Sequence, residues 1–382
     1  MLPSGGGIRV LRQFSHELQK SYMLSVHIPE GASRLNLKNQ SKVKEIFYPY
    51  KAWRKPEGFL RIIAPIFLVY RLLAFKKVCK QIAVCINNTA DLALVHNSLP
   101  IAAPPILQYL KVPSTYFCYE HPRHLYEKDI IQRTNSSLKE LALYPLTLLE
   151  KSIDTKSAKS SNRIITFSTY MQNTISKLYG RNAGIVRPGV NSSFFHPTSR
   201  PAHKENFVLS VGALWPFKGH ETVIQVVGNI PLTYRPTLKI VADREYPGYT
   251  KTLLALASNL SVNLEIMQEI KDTNLRVLYQ NATAVLCCQK KEPYGLVPLE
   301  AMACGTPVIA LNQGGFTDNI IHGETGYLFD GSAEEASQYL IDIIKGSVET
   351  INTITSNALD FVRSKRTIAL GNESLEMELN SL

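Results

Sequence analysis

Glu292 and Glu300 are the residues whose type and spacing most plainly suggest chemistry. They sit in the stretch Glu292-Pro293-Tyr294-Gly295-Leu296-Val297-Pro298-Leu299-Glu300-Ala301-Met302-Ala303-Cys304-Gly305-Thr306-Pro307-Val308-Ile309-Ala310, which begins where an apolar, strand-like run ends and continues into a helix-like one. The two carboxylates are eight positions apart, a little over two helical turns, so they can address opposite ends of one ligand if the helix starts near Gly295. Backbone NH groups at such a helix start, with a glycine that permits close approach, form a site for a diphosphate. Two glutamates alone would read equally well as a solvated helix face; the residues around them argue against that.

EPYGLVPLEAMACGTPV resembles the E-x7-E motif of the retaining glycosyltransferases of family four (glycosyl transferases group 1), which have the GT-B fold. The likeness extends over nearly the whole chain and is strongest from Asn206 to Phe329. It implies that Glu300 holds the ribose hydroxyls of a nucleotide and Glu292 the hydroxyls of the transferred sugar. Tyr294, Gly295 and Leu296 would offer main-chain NH groups to sugar and phosphates.

A second matching element is Ser210-Val211-Gly212-Ala213-Leu214-Trp215-Pro216-Phe217-Lys218-Gly219-His220. Breaking a sugar–phosphate bond leaves extra negative charge on the leaving group, and a fixed Lys218 ammonium would stabilise that charge more in the transition state than in the ground state. The family usually has an arginine where this chain has Ala213, which leaves Lys218 as the matching cation. A third element, Asn312-Gln313-Gly314-Gly315-Phe316-Thr317-Asp318 followed by Gly323-Glu324-Thr325-Gly326-Tyr327-Leu328, resembles the family's double glycine and GxTGxL stretch, with Asp318 where glutamate is usual.

In the N-terminal half, Gly5-Gly6-Gly7 resembles the family's glycine loop, and Gly6 and Gly7 are expected beside the donor phosphates and the acceptor. Glu120, His121 and Arg123 follow a strand-like run and resemble an acidic, proline and arginine loop. Glu120 and Arg123 are expected at the acceptor, and His121 either beside the reacting sugar or in a structural role. No Asp-x-Asp and no metal-spaced histidine or carboxylate cluster occurs, so neither a metal nor a cofactor is expected; the nucleotide sugar is a substrate. The expected activity is metal-independent transfer of a hexose from a nucleoside diphosphate sugar to a glycan or lipid-linked saccharide, with retention of configuration. The alternative, suggested by Ala213, is a decayed glycosyltransferase-fold binding protein; a sugar-nucleotide epimerase is disfavoured by the same motifs.

The elements that must position these residues are α/β in pattern. Strand-like runs at 23–28, 92–96, 114–119, 163–167, 207–211, 237–241, 263–266, 284–288 and 307–310 alternate with amphipathic stretches, which predicts parallel sheets covered by helices. The expectation is a GT-B arrangement, two doubly wound Rossmann-like domains facing across a cleft that holds the ligand. A proline-, glycine- and serine-rich segment at 187–201 marks the linker. The domains expected are 1–190 for the acceptor, 191–365 for the nucleotide sugar, and a tail or helix at 366–382. Only Met1–Ser4 precede the glycine loop, so the first strand of the N-terminal domain is expected to be missing.

The chain has 382 residues and a formal charge of +11, a balance that favours an anionic partner. No nucleic-acid-binding signature is present, so a diphosphate or a membrane surface is expected and nucleic acid is not. The run Phe59–Leu73 is broken by Arg61, Pro65 and Arg71, too polar for a span of about 20 residues. It reads as a core helix or as an interfacial one that, with Arg54, Lys55, Lys76, Lys77 and Lys80, rests on anionic lipid. Six cysteines without metal or CxxC spacing and no secretory leader suggest the cytoplasm, peripherally at the inner face of the membrane.

Overall fold

The structure, a computed structural model, describes residues 6–31, 43–50, 64–127, 137–198 and 205–382. It divides into two compact units: 1–167 with 171–186 and 372–382, and 168–170 with 187–371. The last stretch of the chain thus groups with the first unit. The expected missing first strand concerns residues ahead of Gly6, outside the described residues.

In the first unit, α1 (Gly6–Leu18) is followed by β1 (Leu24–Pro29), β2 (Val43–Tyr48), α2 (Ala64–Thr89), β3 (Ala93–His96), β4 (Ser114–Phe117), the short α3 (Arg123–Tyr126), α4 (Ser137–Ser160), β5 (Arg163–Thr166), α5 (Thr169–Tyr179) and β6 (Gly184–Ile185). β3, β4, β5 and β6 form a parallel sheet in that order, and β1 pairs with β2 in a parallel ribbon. Strands β4 and β5 are almost wholly buried, as parallel strands covered on both faces should be. Phe14 of α1 packs on Phe117 at the end of β4, with ring centroids 5.7 Å apart.

The second unit holds β7 (Phe207–Val211), α6 (His220–Gly228), β8 (Thr237–Ala242), α7 (Tyr249–Asn259), β9 (Leu264–Gln268), α8 (Asp272–Asn281), β10 (Ala284–Cys287), α9 (Leu296–Ala303), β11 (Val308–Leu311), α10 (Phe316–Asn319), β12 (Tyr327–Phe329), α11 (Ala333–Lys345) and α12 (Val348–Lys365); α13 (Ile368–Asn380) ends the chain. Its six strands are all parallel, in the order β12-β11-β10-β7-β8-β9. The order reverses between β7 and β10. In a doubly wound sheet the loops leaving the carboxyl ends of the strands at that reversal open a crevice, because the flanking helices depart to opposite faces.

Candidate functional site

The loops leaving β7 and β10 carry the expected chemistry. After β7 the chain runs through Ala213 and Leu214 into a single helical turn, Pro216–Lys218, and Gly219 in the left-handed region (φ 75°) turns it into α6. A side chain at Gly219 would strike the carbonyl of Cys288, so glycine lets this loop lie against the end of β10. Lys218 Nζ donates to Gln289 Oε1 and stands 3.7 Å from Glu292 Oε2. Its stem passes over Gly212, whose added Cβ would lie 3.6 Å from Lys218 Cδ. The ammonium is held from the β10 side by an amide and a carboxylate.

His220, the first residue of α6, is buried between the strand and its loop. Ser210 Oγ lies 3.3 Å from its Nδ1 and the Ala213 carbonyl 3.1 Å from its Nε2, so one neutral tautomer, protonated on Nε2, satisfies both. Burial lowers its pKa to about 4. The ring ties Ala213 to the start of the lysine-bearing helix.

Glu292 lies in the turn after β10, and α9 begins at Leu296, behind Gly295 in the left-handed region (φ 92°). No side chain caps α9, and its first NH groups are of the kind that bind anions. Any side chain at Gly295 would press the ring of Phe316, 2.7 Å from the added Cβ. Glu300 is inside the helix and 3% exposed, and the Tyr279 hydroxyl donates to its Oε2 at 3.0 Å. Tyr294 is buried as well: its hydroxyl donates to the Pro188 carbonyl at 2.6 Å, and its own carbonyl accepts from Asn319 Nδ2 at 2.7 Å. The side chain of Tyr294 therefore serves the fold, and only its main-chain NH is a candidate for a ligand. Between the two carboxylates, burial and the charges of Cys288, Glu292 and Glu300 push the Cys287 thiol well above its usual range, so it stays protonated and unreactive.

The double glycine shapes this turn. Gly315 NH donates to the Glu292 carbonyl at 2.7 Å. A Cβ on Gly315 would meet Tyr294 Cα at 2.6 Å, and one on Gly314 (φ 67°) would meet Glu292 N at 2.7 Å. Asp318 accepts from Thr169 NH at 2.9 Å and Thr169 Oγ1 at 3.0 Å, and pairs with Arg187 Nη2 at 2.9 Å. Its carboxylate ties α10 to Thr169 and Arg187.

In the first unit, Gly6 and Gly7 open α1, and a Cβ on Gly7 would rest 3.5 Å from the Tyr119 ring. Glu120 pairs with Arg123. His121 is 4% exposed, its Nε2 lies 2.7 Å from Glu127 Oε1, and its Nδ1 has no hydrogen-bond partner among the described residues. Asn97 holds the loop: its amide donates to the Glu120 carbonyl and its oxygen accepts from Tyr119 NH at 2.8 Å. Nearby, Asp154 accepts from Ala103 NH at 2.9 Å and from the Tyr179 hydroxyl at 2.7 Å; burial raises its pKa in spite of these bonds.

Gln289, Tyr279 and His220 did not stand out in the sequence. Gln289 meets Lys218 because β7 and β10 are neighbours in the sheet, Tyr279 reaches Glu300 from α8 to α9, and His220 bonds back to its own strand and loop. Gln289 follows Cys288 directly, and a polar residue at the end of a buried apolar run was the signal available.

Comparison with known proteins shows what these positions resemble. The profile described as Glycosyl transferases group 1 matches residues 191–360. A D-inositol 3-phosphate glycosyltransferase of Acidothermus cellulolyticus is 30% identical over 192 residues, 45% of this chain and 43% of that protein. An N-acetyl-alpha-D-glucosaminyl L-malate synthase of Bacillus anthracis is 32% identical over 146 residues, 37% of this chain and 38% of that protein. The matches thus span less than half the length of these curated relatives. Among solved structures, Anabaena Alr3699/HepE in complex with UDP and glucose superposes with a TM-score of 0.71 at 18% identity, covering 99% of this chain and 96% of its own. WaaG, a glycosyltransferase involved in lipopolysaccharide biosynthesis, gives 0.69 at 16%, covering 98% and 96%. The chain has the GT-B fold, two Rossmann-like α/β units, and its residues 191–360, which contain Lys218, Glu292 and Glu300, are similar to the glycosyl transferases group 1 family.

Proposed function

We propose that the chain transfers a hexose from a nucleoside diphosphate sugar to a hydroxyl of a glycan or lipid-linked saccharide, with retention and without a metal. The observation behind this reading is the approach of Lys218 to Glu292, 3.7 Å apart at the carboxyl ends of β7 and β10, where the strand order reverses. A cation and a carboxylate fixed together suit a substrate with an anionic diphosphate beside a ring of hydroxyls. The similar Alr3699/HepE fold is known with UDP and glucose, and a nucleotide-sugar donor for this chain is consistent with that.

In the proposed reaction, Glu300 holds the ribose, Glu292 the sugar hydroxyls, and the NH groups of Tyr294, Gly295 and Leu296 the sugar and phosphates. The bond from C1 to the β-phosphate oxygen breaks and its electron pair leaves with the diphosphate. The acceptor oxygen bonds C1 on the same face, and its proton passes to the departing phosphate. Lys218 offsets the charge that grows on the leaving group, in a low-dielectric crevice where a fixed charge acts strongly. We assign the acceptor to Gly6, Gly7, Glu120 and Arg123 of the first unit, and a catalytic part to His121, whose ring Glu127 holds. None of the six cysteines is in a disulfide, which suits a reducing cytoplasm.

Incubating the purified chain with UDP-glucose, UDP-N-acetylglucosamine, GDP-mannose and ADP-glucose separates this from the decayed-binder reading that Ala213 favours. An active site should hydrolyse one donor slowly and release its nucleoside diphosphate. Tight donor binding with no hydrolysis and no transfer to any offered saccharide would leave the binder as the better account.

A further inference from the structure

Among the described residues no helix is long and apolar enough to cross a membrane, yet α2 shows solvent a face that a water-soluble helix normally hides. Ile66, Tyr70, Leu73 and Val84 are 69%, 51%, 61% and 63% exposed. With the exposed Lys77 and Lys80 they recur at alternating spacings of four and three along one side of the helix. The opposite side, through Leu72, Phe75, Val78, Cys79, Ile82 and Ile86, is buried in the first unit. The helix therefore has two apolar faces, and the protein covers one.

Charge distinguishes the open face from an ordinary protein interface. The 26 residues of α2 contain Arg71, Lys76, Lys77 and Lys80 and not one aspartate or glutamate. α4 packs beside it through Leu146 and Ile153 against Leu72. It exposes Tyr144, Leu148 and Leu149, at 55%, 49% and 41%, and its exposed Lys156 and Lys159 extend the same mixture of apolar and basic groups. Exposed apolar side chains of this size, interleaved with cations and on α2 free of carboxylates, match the boundary of an anionic bilayer: the apolar groups enter the acyl region and the ammonium groups meet the headgroups. On α4 the carboxylate of Glu150, beside Leu149, is mostly buried and faces His124.

We propose that α2 and α4 form a docking surface for an anionic lipid bilayer. The residues Lys51–Ile63, expected to share in such a surface, lie outside the described residues, and the surface stands without them. It is independent of the donor chemistry, which resides in the second unit.

The experiment is co-sedimentation of the purified chain with vesicles of phosphatidylglycerol and phosphatidylcholine (3:7) or phosphatidylcholine alone, alongside donor hydrolysis without lipid. Binding should require the anionic lipid and fall as salt rises from 0.05 to 0.5 M. Lys77→Glu with Lys80→Glu should weaken it at least about tenfold, since each lysine near such a surface is worth roughly fivefold. Tyr70→Ser with Leu73→Ser should weaken it comparably at every salt concentration, and both pairs should keep wild-type helicity, melting temperature and donor hydrolysis. Equal binding to both vesicle types, or unchanged binding by both variants, would overturn the proposal. So would a dimer in sedimentation velocity that Tyr70→Ser with Leu73→Ser dissociates, because a second copy would then be the occupant.

Discussion

Lys218 and Glu292 face each other at 3.7 Å from loops that leave two adjacent strands of one sheet, and Gln289 holds the ammonium from the side. A lysine so fixed needs no reorganisation when charge grows on a leaving diphosphate. Replacing Lys218 with alanine should lower kcat by about 10²–10³, the scale for one preorganised donor, and leave the melting temperature nearly unchanged because the group is partly exposed. Steady-state kinetics with the preferred donor checks this; an unaltered kcat would remove Lys218 from the reaction.

Glu300 is buried and receives a hydrogen bond from Tyr279. If Glu300 holds the ribose, Glu300→Ala should raise the donor KM and the Kd for the free nucleotide. Tyr279→Phe should do so more mildly, about three- to tenfold, by freeing the carboxylate to rotate. Glu292→Gln should lower kcat with KM little altered, because the sugar hydroxyls it holds shift in the transition state. Calorimetric titration with the nucleoside diphosphate, which lacks the sugar, is the discriminating measurement. Equal losses of nucleotide affinity in the Glu292 and Glu300 variants would contradict the division of roles.

Gly315 lies where a methyl group would fall 2.6 Å from Tyr294 Cα and 2.8 Å from Tyr294 N. Both are backbone atoms that cannot rotate aside. Gly315→Ala should therefore push the Glu292–Tyr294 turn away from α10, destabilise the second unit by about 1–3 kcal/mol, and lower its melting temperature by roughly 2–12 °C. Activity should fall with it. Thermal unfolding at wild-type values with full turnover would show that the turn tolerates the displacement.

Much of the second unit was legible because its central strands are buried on both faces and so appear as unbroken apolar runs; Ala284–Cys287 and Val308–Leu311 are examples. β2 was not, since Lys44 and Glu45 interrupt Val43–Tyr48 and it pairs only with β1. β12, three residues long, read as part of a glycine turn. The placement of Lys218 and Glu292 in the loops after β7 and β10, and of Glu300 in α9, was legible because a continuous motif surrounds each. Their partners were not: Gln289 is 71 residues from Lys218 and Tyr279 is 21 from Glu300, and no local pattern announces a contact that the sheet order creates. Asp318 was found by its departure from the family, but its engagement with Thr169 and Arg187 depends on a chain return that spacing does not encode.

His220 provides a pH test of the way α6 is mounted. Burial lowers its pKa to about 4, against about 6.5 in an unfolded chain. The folded state therefore requires the neutral ring, whose Nε2–H faces the Ala213 carbonyl and whose Nδ1 faces the Ser210 hydroxyl. A depressed pKa means that the unfolded state binds the proton first. The stability tied to this residue is complete above about pH 6.5 and declines as pH falls toward 4. Between pH 7 and pH 5 the loss from this one group should be about 2 kcal/mol. His220→Gln carries no such titration and should lose less stability over that interval by about the same amount, although it starts from a lower value at pH 7 because the two contacts are disturbed. His96, buried in the first unit with its pKa also lowered to about 4, titrates alongside, so His96→Gln must be measured in parallel. Urea unfolding of wild type and both variants at pH 7, 6 and 5 reads the three slopes. If the His220→Gln curve runs parallel to wild type across that range, the folded ring takes up its proton as readily as the unfolded one, and the mounting of α6 through a neutral histidine is refuted.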